Sequence, residues 1–123
     1  MKPALCLAVF ALLMSLPAQA YEVETGPVML CDTQQQAERF VQLFDGNQDA
    51  AIGAVNAEER NPRACAILEV VYVQGDPLGI ARTDSHAFRI TPVAVVAMKT
   101  PAGFKQVTPA VFFTPVKVRE YAV

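Results

Sequence analysis

The sequence predicts an α+β fold: two short helices packed on one face of a three- to four-stranded, mostly antiparallel sheet, in the order β-α-α-β-β-β. Three observations predict it. Ala37, Phe40, Val41 and Phe44 fall at i, i+3, i+4 and i+7, an apolar stripe of helical period. The second half of the chain holds runs rich in branched residues, separated by Gly/Pro turns. Cys31 and Cys65 stand where the helical region meets the strands on either side.

Taken in order, residues 22–30 (EVETGPVML) read as a first strand broken by Gly26-Pro27. Asp32 or Thr33 then offers a side-chain oxygen to the open amides of a first helix. Glu38, Arg39 and Gln42 occupy its polar side, and Asp45-Gly46-Asn47 stops it, with Gly46 placed for a left-handed cap. A second, alanine-rich helix runs from about Asp49 to Glu59, with Ile52 and Val55 as its apolar contacts. Asn61-Pro62 ends it, because the residue before proline avoids the helical region. CAILEVVYV (65–73) is a strand that turns at Gly75-Asp76-Pro77. Residues 86–99 and 104–118 form a long hairpin around Pro101-Ala102-Gly103.

The hairpin can be read further. If position 100 pairs with 103, Ile90/Phe113, Pro92/Val111, Val96/Val107 and Met98/Lys105 share an almost wholly apolar face that should meet the helices. The other face carries Arg89/Thr114, Thr91/Phe112, Val93/Ala110, Val95/Thr108, Ala97/Gln106 and Lys99/Phe104. Pro92 and Pro109 each lack a ladder donor, so a bulge or an edge is expected at both. ITPVAV (90–95) echoes VTPAVF (107–112), too briefly to establish a duplication.

Residues 1–20 are read as a signal peptide that is removed, which leaves 21–123 as one small domain. MKPALCLAVFALLMSLPAQA has a basic start (Lys2), an apolar run from Ala4 to Leu16, the breaker Pro17, and the small-x-small site Ala18-Gln19-Ala20. The expected location is therefore outside the cytoplasm, periplasmic or extracellular. No second long apolar run follows, so no integral membrane segment is expected after cleavage. Residues 21–59 hold eight acids and one base, and residues 60–123 hold four acids and eight bases. The halves should attract each other, and no strongly basic face for nucleic acid is expected.

Once the leader and its Cys6 are gone, Cys31 and Cys65 remain, and an even count in an oxidising compartment reads as a disulfide. A zinc site needs four ligands, and these two cysteines and His86 are too few. A redox pair would be spaced C-x-x-C. The expected bridge staples the helical layer to the sheet.

Chemistry-bearing motifs are sparse. DGNQDA (45–50) starts like a calcium loop, but Ala50 stands where glycine is needed and Asn56 where a bidentate glutamate is needed. A capped turn explains Asp45, Asn47 and Asp49. Asp84-Ser85-His86 holds the three groups of a triad in adjacent positions, which on a strand point to opposite faces. No catalytic residue, metal site or cofactor is expected, and the chain reads as non-enzymatic. The remaining candidate is a binding face of Arg89, Val93, Val95, Lys99, Phe104 and Phe112, an apolar patch with a basic rim. The N-terminal strand, the tail REYAV or a second copy would otherwise cover it.

LCDTQQQAERFVQLFDG, then RACA, then VTPAVFFTPVKV is similar to a group of small secreted bacterial proteins of unassigned function. The resemblance spans nearly all of 21–123 and implies export and the cysteine pair. The helix-then-strands order also resembles the cystatin-like topology, but VYVQG (71–75) departs from its Gln-x-Val-x-Gly loop and the chain has no tryptophan, so no inhibitor residues carry over. The function expected is a binding or interaction module for an unknown protein or envelope component, with a homodimer as one option. The alternative is a carrier of a small apolar ligand between helices and sheet.

Overall fold

The computed structural model describes residues 22–118; the leader (1–20) and the tail REYAV lie outside the described residues. Seven elements follow in order: β1 (Val23–Cys31), α1 (Gln34–Leu43), α2 (Gln48–Glu59), β2 (Cys65–Gln74), β3 (Gly79–Arg82), β4 (Ala87–Thr100) and β5 (Gly103–Lys117). The class is α+β, and the sheet has five antiparallel strands rather than three or four. The additional strand is β3, which pairs with Ala87–Ile90 at the start of β4.

Both helices begin on side-chain caps. Thr33 Oγ1 accepts from Gln36 N at 3.1 Å, and Gln36 Oε1 accepts from Thr33 N at 3.1 Å. This reciprocal box satisfies two open amides of α1. Ala37, Phe40 and Val41 are buried, as the stripe requires. The helix stops at an extended Phe44, and Gly46 takes its positive φ in the loop beyond rather than as the cap. Asn47 caps α2 through Ala50 N. That helix ends one residue before Asn61, on a left-handed Arg60 (φ 52°). Arg39 ties α2 to α1 through a two-pronged bond to Glu58, and this hydrogen bond holds the exposed Glu58 carboxyl below its ordinary range.

The bridge Cys31–Cys65 is present. The two cysteines are direct partners in the β1–β2 ladder, so the closed loop contains both helices. Asn56 reinforces the same corner. Its amide donates to Cys65 O and Pro62 O, and its carbonyl accepts from Cys65 N at 2.8 Å. A mid-helix asparagine thereby serves as the clamp between α2 and the start of β2.

The strands do more than make an open layer. β1 pairs with β2, β2 with β4 (Val70–Gln74 against Val93–Met98), and β4 with β5. β5 returns to β1 at a single pair, Cys31 with Phe113. The four strands form a closed circuit of pairings with two faces, and each face has its own core. The inner core is Leu30, Val70, Val93 and Val95, with Val28, Leu68, Tyr72, Met98, Val107 and Phe112 against it. The outer core lies under the helices and contains Met29, both cysteines, Phe40, Val41, Val55, Phe88 and Ile90. Alternation explains the split: Val28 and Leu30 point in, Met29 and Cys31 point out.

The hairpin tip has the expected register, Thr100/Gly103 through Ala97/Gln106. A bulge then intervenes. Val96 is one extra residue against β2, and Val107, Thr108 and Pro109 stand opposite it on β5. Pro109 therefore sits where no ladder donor is needed, as expected of it. Beyond the bulge the partners move by two: Val93 faces Phe112, Val95 faces Ala110, and Ile90 faces Pro115. The bulge also changes which side chains point inward, from Val93 and Val95 before it to Met98 after it.

Candidate functional site

The sequence-derived binding face does not exist as one surface. Val93 and Val95 are fully buried in the inner core, and Phe112 packs beside them. The β1–β2 strand pair covers them, so the N-terminal strand is part of the cover. Lys99, beyond the bulge, pairs with Glu69 at 3.0 Å on the surface. Phe104 stays exposed at the hairpin tip, and Arg89 is exposed in a separate row between Ile80 of β3 and Val116 of β5. Cys31 and Cys65 are buried in the outer core as a structural bridge.

Where the apolar surface is instead follows from lengths. A ten-residue helix is about 15 Å long, whereas a 14-residue strand runs about 46 Å. The helices therefore cover only the Phe88–Ile90 end of the outer face. Past that end, Val23 pairs with Val73, Val73 with Ala94, and Ala94 with Val111. Directly opposed residues share a face, so these four make one apolar row across four strands. Val23 is 63% exposed and Val111 58% exposed. Of the face expected to meet the helices, Ile90 and Phe113 do pack beneath them, whereas Val111 is bare.

A hollow of 240 Å³ lies in this row, lined by Val73, Gly75, Pro92, Ala94 and Val111. Gly75 N donates to Pro92 O at 2.8 Å, and a Cβ at Gly75 would come within 3.1 Å of the Pro92 ring. Glycine is what lets the loop after β2 close the end of the hollow. Among the described residues no charged side chain, acid, base or nucleophile lines it, and what those residues offer is apolar contact.

A second concavity sits between the end of α1 and the sheet. This groove of 330 Å³ is lined by Met29, Phe40, Phe44, Phe88 and Pro115, with Gly46, Gln48 and Lys117 at its rim. Phe44 stacks on Phe40 and meets Phe88 edge-on at 5.5 Å between ring centres. The His86 ring packs edge-on against Phe44 at 4.9 Å, and its backbone N donates to Thr83 Oγ1 in a tight turn. Asp84 and Ser85 are exposed on that turn. Asp45 accepts from Asn47 N, the capped turn expected of DGNQDA. Among the described residues, no three His, Cys, Asp or Glu side chains gather to hold a metal ion. Burial, with Glu24 opposite, raises the Tyr72 phenol at the far end of the inner core.

No protein-family model, curated protein or solved structure matches the chain. Among the described residues, no helix is long and apolar enough to cross a membrane.

Proposed function

We propose that the chain is an exported, disulfide-stapled binding module and not an enzyme. Its contact surface is the outer row Val23–Val73–Ala94–Val111. The observation that carries this reading is the uncovered, charge-free hollow in that row. Contiguous exposed apolar surface on a small domain serves contact with another molecule. The leader, the cysteine pair and the resemblance to small secreted bacterial proteins support export. Crosslinking in cells tests the surface. A photoreactive residue at position 111 should give a defined adduct, one at position 59 on α2 should not, and Val73→Glu should abolish the adduct while the protein stays folded. Equal adducts at both positions, or none at 111, would sink this surface.

The aromatic groove under α1 favours a second reading, carriage of a small apolar ligand. Its volume reaches the lower bound of ligand pockets, about 300 Å³, and its lining is of the usual apolar kind. Saturating 1-decanol should then raise the melting temperature by about 2–4 °C. Gln48→Trp, which fills the mouth, should remove that rise. An unchanged melting temperature in the wild-type protein dismisses the carrier.

A further inference from the structure

We infer that the face of β3, β4 and β5 turned away from the helices docks on an anionic phospholipid surface. Register builds this face. Ile80 pairs with Arg89 and Arg89 with Val116, while Arg82 pairs with Ala87. Val118 N donates to Ala87 O at 2.9 Å and continues that second row. Directly opposed residues share a face, so these six form two adjacent rows across three strands. Ala81 and Phe88, between them in sequence, turn the other way and pack into the outer core under the helices.

Each row holds one arginine among apolar side chains. Arg89 stands diagonally across the ladder from Arg82, about 7–8 Å away. Both are exposed, and neither makes an ion pair among the described residues, not even with the exposed Asp84 on the neighbouring turn. Beside them Ile80 is 53% and Val116 36% exposed. An arginine among branched side chains keeps its charge in water while its stem and its neighbours rest on apolar material. A lipid leaflet offers both layers at once. Its phosphodiester groups take two-pronged hydrogen bonds from a guanidinium, and the acyl boundary lies just beneath them.

The charge of the rest of the fold selects the same orientation. Residues 32–59, which carry both helices on the opposite side of the sheet, hold six acids and one base. An anionic plane repels that layer and attracts the arginine face, so both forces turn the molecule the same way. With two arginines the attachment is weak and sensitive to salt. The attachment rests on the export proposed above, which brings the chain to such a surface, and not on the outer row.

Co-sedimentation of the oxidised protein with sucrose-loaded vesicles tests this, with phosphatidylcholine alone set against an equal mixture of phosphatidylcholine and phosphatidylglycerol. The protein should pellet with the mixture and not with phosphatidylcholine, and about 0.5 M salt should release it. Arg89→Gln should lower the partition coefficient about fivefold, and Arg82→Gln/Arg89→Gln about thirtyfold, with unchanged melting temperatures. The chain has no tryptophan, so Ile80→Trp and Glu59→Trp each place a single fluorophore. Emission from position 80 should shift to the blue on the anionic vesicles, and emission from position 59 should not. Absence of pelleting overturns the proposal, as does equal binding to both vesicles or binding indifferent to the arginine changes. Binding lost in Val111→Asn instead would move the contact to the outer row and overturn it too. A salt-sensitive oligomer, or capture on polyglutamate, in place of vesicle binding would give the face to a second copy or to an acidic polypeptide, against the proposal.

Discussion

Val95→Glu is expected to unfold the protein, whereas Val111→Glu on the same hairpin is expected to leave it folded. Val95 is fully buried between β1, β2 and β5, among Leu30, Val70 and Val93. A carboxylate there has no hydrogen-bond donor in reach within that cluster, and burying an unpaired charge is among the few changes that cost more than about 4–5 kcal/mol. Domains of this size have about 5–15 kcal/mol in total. Val111 has its side chain in water, and surface changes usually stay within about 0.5 kcal/mol. Thermal unfolding followed by circular dichroism checks both, with Val95→Ala as an intermediate case that removes volume without adding charge. A Val95→Glu protein that still melts cooperatively at the wild-type temperature would mean that no inner core exists. Equal loss in both variants would mean that the outer row is buried as well.

That contrast shows what the sequence could convey. The helices were legible because their signals are local: the Thr33/Gln36 box, the stripe Ala37–Phe40–Val41 and the Asn47 cap all lie within a few residues of what they control. The tip of the hairpin was legible for the same reason. The faces of the hairpin were not, because they depend on a bulge at Val96 that no local rule places. VAVVAM (93–98) is apolar at both odd and even positions, so its pattern does not tell which face is covered. Val93 and Val95 are buried because β1 and β2 fold over them, a long-range pairing the local pattern does not carry. β3 escaped because Gly-Ile-Ala-Arg is too short to show a period, and its pairing with β4 is what makes it a strand. The candidate row was invisible for a related reason. Val23, Val73, Ala94 and Val111 are far apart in sequence, and only the closed circuit aligns them.

The closed circuit meets at the Cys31–Cys65 corner, so removing the disulfide should act on the helical insert and on the seam together. Cys31 and Cys65 close a loop with a sequence separation of 34, and that closure restricts the unfolded chain by about 4 kcal/mol in the chain-entropy model. Cys31 is also the single residue through which β1 pairs with β5. Cys65 O accepts from Asn56 Nδ2, and Cys65 N donates to Asn56 Oδ1. Loss of the bridge thus loosens the helical insert and the seam of the circuit together. The Cys31→Ala/Cys65→Ala variant is expected to lose about 3–4 kcal/mol in denaturant unfolding, with alanine chosen because a serine would bury an unpaired hydroxyl. Hydrogen exchange should distinguish where the loss falls. Amides of α1, α2 and the β1–β2 corner should open first, while the β4–β5 pairing from Ala97 to Thr100 keeps its protection, because its partners are local. Uniform loss of protection would show that the domain opens only as a whole. An unfolding free energy unchanged to within about 1 kcal/mol would show that packing around Leu30 and Phe113 holds the seam without the bridge, and that the cysteines stabilise the chain little.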